Sequence, residues 1–232
     1  MCGRYTIIAK AEEIEKRFNV TVPETYTARY NAAPTQILPV ISNESPGGLS
    51  FFHWGLIPSW AKDKSISSKL INARAETISQ KASFKSALKS RRCLVLADGF
   101  YEWKRSSKKS KVPYRIMLKD KRLFAFAGLW EAYEDENQEI VYTFTIITTS
   151  ANSAITKIHD RMPAILRREA EQEWLSASIS MEEHLQLLQP YDANQMEYHT
   201  ISPLVNSVAN DNPQLIVPTP PADQFGNLTL FD

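Results

Sequence analysis

The 232-residue chain has little cysteine and no long apolar run. Its two cysteines, Cys2 and Cys93, are too few for a disulfide framework, and metal-ligand spacing is absent, so neither a disulfide scaffold nor a metal centre is expected. The longest apolar stretches, such as LFAFAGLW at 123–130, fall far short of the roughly 20 residues that cross a bilayer. The opening MCGRYT runs straight into a strand-like pattern with no basic segment followed by an apolar one, so secretion is not expected. A reducing cytoplasm is the setting that follows. Net charge is only +1, and no internal repeat is present.

The distribution of charge says more than its sum. Residues 59–122 hold 18 Lys and Arg against 5 Asp and Glu, while the remainder holds 9 against 21. A chain polarised in this way can present one basic face to a polyanion. For the run KRSSKKSK at 104–111 taken alone, a solvated loop is the plainer reading.

Apolar periodicity predicts strands over 4–8, 36–42 and 49–57, the last two joined by the turn signal NESPGG, and a short helix over 9–18. FKSALKS at 84–90 predicts a further helical turn or two. Four strand-like runs follow: CLVLADGFYEW, VPYRIML, RLFAFAGLW and VYTFTIITT. No long helix separates them. The spacing predicts an α+β fold of mainly antiparallel sheets, barrel-like or sandwiched, with a few flanking helices. Two of these helices are expected over 167–176 and 181–188. One domain over 1–217 and a tail over 218–232 is the economical division.

Position 2 is the most unusual feature. Removal of Met1 would give Cys2 a free α-amine beside its thiol, and both have a nucleophilic fraction at neutral pH. An aldehyde meeting this pair forms an imine that the thiol closes to a five-membered thiazolidine. A cysteine at position 2 can equally be incidental. Glu102 lies among Phe100, Tyr101 and Trp103, where burial would raise its pKa and suit acid/base work; an outward-facing strand residue is the alternative. His159, followed by Asp160 and Arg161, is either a proton shuttle or a structural histidine. Asn72 in INARAET reads as a turn or cap residue, and Cys93 in its apolar run as packing. Arg4 and Arg74 can clamp a phosphate or simply pair on the surface. Trp54 and Trp60 in HWGLIPSW offer faces for stacking, although aromatics at strand spacing usually fill cores.

Taken together, MCGRYT, RYNAAPTQ, HWGLIPSW, INARAET, LADGFYEWK and IHDRMP resemble the SOS response-associated peptidase (SRAP) family, also called abasic-site-processing proteins. They occur in family order over residues 1 to about 163, and EAEQEWL and ISPLVNS extend the likeness. The resemblance implies that Met1 is removed by the protein itself and that Cys2 forms a thiazolidine with the ring-opened sugar of an abasic site in single-stranded DNA. It implies that Asn72 holds Cys2 near the sugar and that Glu102 assists Schiff-base formation, Met1 removal and reversal. It gives His159 the opening of the sugar ring. Arg4 and Arg74 become phosphate contacts, and Asn31, Pro34, Trp54 and Trp60 fall in motifs lining the DNA channel. No cofactor or metal is implied, and a monomer suits one lesion per protein. A cysteine peptidase acting on other proteins and a noncovalent single-stranded nucleic-acid module are the competing readings.

Overall fold

In the computed structural model, which describes residues 2–107 and 109–229, the chain opens with strand β1 (Tyr5–Ile7) and helix α1 (Ala11–Phe18). Strands β2 (Arg29–Ala32), β3 (Ile37–Ser42), β4 (Ser45–Trp54) and β5 (Asn72–Arg74) follow, then helix α2 (Ala82–Ser90). The centre holds β6 (Arg92–Ala97), β7 (Gly99–Arg105), β8 (Lys111–Leu118), β9 (Phe124–Glu134) and β10 (Ile140–Ser150). Strand β11 (Arg161–Pro163), helices α3 (Ala170–Leu175) and α4 (Met181–Gln186), and strand β12 (Met196–Thr200) complete the set.

Strands β10, β4, β3, β6 and β9 pair in that order, and β9 pairs back to β10, so five strands close on themselves. Closure removes the exposed edges that an open sheet would leave. A second sheet, ordered β12–β8–β7–β1–β2, is antiparallel throughout. The α+β, barrel-like expectation therefore holds. The exception to antiparallel pairing is local: β10 pairs in parallel with β4 through Thr143 and Phe144, and with β5 through residues 146–148.

CLVLADGFYEW, which reads as one strand, is two strands in two sheets. Asp98 ends β6: its carboxylate accepts from Thr6 Oγ1 and the Ile8 amide, both at 2.5 Å, and from Arg115 Nη2 at 3.1 Å. A Cβ on Gly99 would meet Arg115 Nε and Thr6 Oγ1 at 3.0 Å, so glycine is what lets these groups cross the junction. The NESPGG turn is also shorter than its composition suggests. Ser42 pairs with Ser45, leaving two residues in the turn, and Ser45–Gly48 continue as strand. A register shift frees this stretch from β3, and Thr21 takes it up, donating to Gly47 O at 2.9 Å.

The helices match their expected places with frayed ends; α1 buries Ile14 and Phe18 as its spacing requires. Of the segment read as a tail, residues 218–229 fold back: Pro218 bridges Ile201, and Gln224 accepts from the Lys111 amide at 2.7 Å. Residues 230–232 lie outside the described residues. Among the described residues no helix is long and apolar enough to cross a membrane.

Candidate active site

The N-terminal strand enters between β2 and β7. Tyr5 pairs with Phe100 and Thr6 with Gly99, and the Tyr101 amide donates to Arg4 O at 3.0 Å. Continued outward, this register brings the Cys2–Gly3 segment alongside Glu102 and Trp103 at the middle of β7. Side chains alternate along β7. Phe100 and Glu102 share the face toward the main core, whereas Tyr101 and Trp103 pack on the other side with Ile201, Val205 and Leu215.

Cys2 is fully buried, and Glu102 nearly so at 3% exposure. Burial pushes the Cys2 thiol up, and the neighbouring Glu102 carboxylate pushes it further in the same direction. Burial likewise raises Glu102 above the usual carboxylate range, with His159 opposing that rise. The thiol is thus kept protonated, next to a carboxyl whose raised pKa equips it to give and take a proton. Cys2, Glu102 and His159 are therefore in electrostatic reach of one another.

His159 sits just before β11 and is partly exposed. Its Nδ1 lies 3.0 Å from the Arg161 amide N–H and 3.0 Å from an Asp160 carboxylate oxygen. One nitrogen cannot serve both at once. In the neutral ring the amide donates to an unprotonated Nδ1, which leaves the proton on Nε2. When Nδ1 gains a proton, Asp160 becomes the acceptor.

Asn72 and His159 hang from opposite sides of β10. On one side Asn72 pairs with Ile146 and Arg74 with Thr148; on the other Pro163 pairs with Thr148. The Asn72 amide donates to Ile71 O at 3.0 Å and Ile146 O at 3.4 Å. Its Oδ1 is buried with no hydrogen-bond partner. Arg161, which motif reading left without a role, clamps this end of β10. It donates to Thr148 O at 2.7 Å and bidentately to Glu76 at 2.6 and 3.0 Å.

The residues expected to line a nucleic-acid channel divide sharply. Trp54 and Asn31 are both fully buried. The Trp54 ring packs on Tyr5 and Phe144, so no face remains for a base. Asn31 accepts from Arg4 and donates to the carbonyls of Val205, Ser207 and Asn210, making it a clasp for that loop. Arg4 donates to Asn31 Oδ1, Val205 O and Asn206 O, which commits much of its fork to the protein. Trp60 is 58% exposed, Arg74 is exposed and Pro34 half-buried, so these three do face solvent. The basic stretch divides similarly. Arg92 and Arg115 are buried, Arg92 donating to four carbonyls, while Lys62, Lys81, Lys85 and Lys109 are exposed.

A groove of about 930 Å³ lies elsewhere, between α1, β8 and β12, and none of Cys2, Asn72, Glu102 or His159 lines it. The candidate groups lie away from it: Cys2 precedes β1, Glu102 stands midway along β7, Asn72 opens β5 and His159 precedes β11. Among the described residues no cluster of three or more His, Cys, Asp or Glu is placed to hold a metal ion.

A buried cysteine beside the start of β1, a buried carboxyl on β7 and a histidine within its electrostatic reach define a class that sequence comparison identifies. The chain belongs to the SOS response associated peptidase (SRAP) family, whose profile matches residues 1–208. It is 50% identical over 221 residues to abasic site processing protein YoqW of Bacillus subtilis, covering 93% of this chain and 99% of that one. Abasic site processing protein HMCES of Rattus norvegicus is 35% identical over 237 residues, covering 84% of this chain and 66% of the relative. A crystal structure of a Bacteroides thetaiotaomicron protein superposes with a TM-score of 0.86 at 31% identity, covering 94% of this chain and all of that one.

Proposed function

We propose that this protein captures abasic sites in single-stranded DNA covalently, through Cys2 freed of Met1. The observation that carries this reading is the fully buried Cys2 thiol beside a Glu102 carboxyl raised by burial, with His159 in reach of that carboxyl. Met1 itself lies outside the described residues, and its removal is part of the proposal.

The freed α-amine attacks the aldehyde carbon of the opened sugar to give a carbinolamine. Glu102 protonates the departing hydroxyl, water leaves, and an iminium remains. The thiol sulfur adds to the iminium carbon while its proton passes to the Glu102 carboxylate. A neutral thiazolidine results, with no net change in oxidation state. Holding amine, thiol and aldehyde together raises their effective concentration by many orders of magnitude. A thiol held protonated does not forestall the amine, so the order of attack follows from the environment.

His159 supplies or takes the proton that opens the sugar ring, its two arrangements at Nδ1 suiting both directions. Asn72 offers Oδ1 to the freed amine or to a sugar hydroxyl. Hydrolysis of the Met1–Cys2 bond uses the same carboxyl, which accounts for the family name without any activity on other proteins. Trp60, Pro34 and Arg74, with the exposed lysines, form the surface that tracks the strand, and affinity from phosphate contacts falls with added salt. One chain completes the reaction, so a monomer in a reducing cytoplasm suffices, and no step calls for a cofactor.

The test is a denaturing gel with intact mass, using single-stranded DNA that carries one abasic site. The expected result is a protein–DNA band that lacks Met1 and is absent for Cys2→Ala. A protein shown to lack Met1 that forms no band would overturn the reading. Cleavage of other proteins, lost in Cys2→Ala, would favour the peptidase alternative; salt-sensitive binding indifferent to the lesion would favour the noncovalent one.

A further inference from the structure

We infer that Trp54 is a positioning residue for the reaction at Cys2, acting through the Asn72 amide and not by contact with DNA. The inference rests on the proposed crosslinking chemistry for its kinetic readout, but its geometric basis is independent of it.

Trp54 ends β4, pairs with Phe144 of β10, and is fully buried. Its indole N–H donates to Ile71 O at 2.9 Å. That same carbonyl accepts one Asn72 amide hydrogen at 3.0 Å and the Ile146 amide at 3.2 Å. The second carbonyl near the Asn72 amide, Ile146 O, lies at 3.4 Å. Two carbonyls facing Nδ2 settle which way the amide is turned, since an oxygen in that position would meet two more oxygens. Oδ1 is therefore turned away from both, buried and with no hydrogen-bond partner. A buried acceptor left open costs stability, and such groups are retained where a ligand or reacting group completes them.

The tryptophan also ties this acceptor to the nucleophile's own strand. Its ring packs against Tyr5, three residues from Cys2, with centroids 5.3 Å apart. Its backbone holds the Pro34 turn, the carbonyl accepting from Thr35 and the amide donating to Gln36 O, both at 2.9 Å. Thr35 takes a left-handed φ of 72°, a strained choice for a β-branched residue that this turn imposes. Gly55, the next residue, has φ 134° and would place a Cβ 2.8 Å from Ser67 O, so the chain leaves the tryptophan along a path closed to other residues. One side chain thus joins the Cys2 strand, the Pro34 turn and the Asn72 amide.

The decisive measurement is a double-mutant cycle on crosslinking rate at saturating abasic-site DNA, using Trp54→Phe, Asn72→Ala and both together. Trp54→Phe keeps a ring against Tyr5 and Phe144 and removes the donor. We expect it to slow crosslinking roughly fivefold to tenfold with DNA affinity unchanged, in line with loss of one hydrogen bond, and to have no effect in the Asn72→Ala background. An unchanged rate, or equal slowing in both backgrounds, overturns the inference. Should the phenylalanine variant fold poorly, the benzothienyl analogue of tryptophan at position 54 preserves the shape and lacks only the N–H, and it must give the same pattern. If the wild-type protein forms no adduct, it is the function that fails. The Asn72 side-chain amide resonances then decide this inference: they must shift in Trp54→Phe, and unmoved resonances refute it.

Discussion

Cys2 and Cys93 are alike by every local measure: both are fully buried, and burial pushes both thiols up. Their neighbours differ. Cys93 lies in the barrel wall opposite Gly128, where an added Cβ would come within 2.8 Å of its sulfur. Its surroundings include Val95 and the backbone of Thr145, and no charged group contributes to its shift. Cys2 sits at a strand end with Glu102 in reach. The buried carboxylates repeat the contrast. Glu171 takes Arg17 bidentately at 2.7 and 3.0 Å, and Glu131 takes Arg91 at 2.7 Å. Glu102 has the Cys2 thiol and His159 within electrostatic reach. Burial alone therefore says nothing about function; what a buried group is buried with does.

The sharpest way to break the comparison is to exchange the roles of the thiols. Cys2→Ala should abolish the covalent adduct, whereas Cys93→Ala should leave its rate within about twofold. The cost at Cys93 should be about 1–2 kcal/mol of stability, measured by denaturant unfolding. An adduct surviving in Cys2→Ala, or lost in Cys93→Ala, removes the distinction.

Glu102→Gln should slow crosslinking by roughly 10²–10⁴, the range for losing a general acid or base. It should also raise the thermal midpoint at neutral pH. The folded chain holds the Glu102 proton more tightly than the unfolded chain does, so the wild-type protein is penalised once pH exceeds the ordinary carboxylate range. The variant's advantage should fade as pH falls below that range. A variant less stable at neutral pH would mean that the carboxylate is structural. Glu171→Gln should leave crosslinking unchanged, because the carboxylate it replaces faces Arg17 and not the site. Smallest of all, Trp60→Ala should weaken binding of single-stranded DNA by about 1–3 kcal/mol without altering the adduct's chemistry.

The strands were largely legible because alternation and apolar runs report on burial within one segment. The break at Asp98–Gly99 was not, because it depends on Thr6 and Arg115, groups brought there by other strands. The parallel pairing of β10 with β4 and β5 is likewise a long-range matter with no local mark. At the site, Cys2, Glu102, His159 and Asn72 were singled out by residue type and motif, and no property of the residues alone decided among their alternatives. The burial of Trp54 and Asn31 was not legible either, because a motif marks a residue as constrained without saying whether it faces DNA or the protein. Arg161 stood in plain view in IHDRMP, but its bond to Thr148 O becomes visible only when β11 lies beside β10.

The arrangement of β10 also bears on when the protein becomes reactive during its own synthesis. Cys2 is among the first residues to leave the ribosome, while His159 follows 157 residues later. Asn72 gains its place only when β10 pairs with β5, and the barrel closes only when β10 meets β9. At translation rates of about 5–20 residues per second, roughly 8–30 s separate the synthesis of Cys2 from that of His159. A reaction that needs all of them cannot begin on a truncated chain. On the proposed route, in which the Glu102 carboxyl also serves removal of Met1, the aminothiol is freed only once the strands around it have been made.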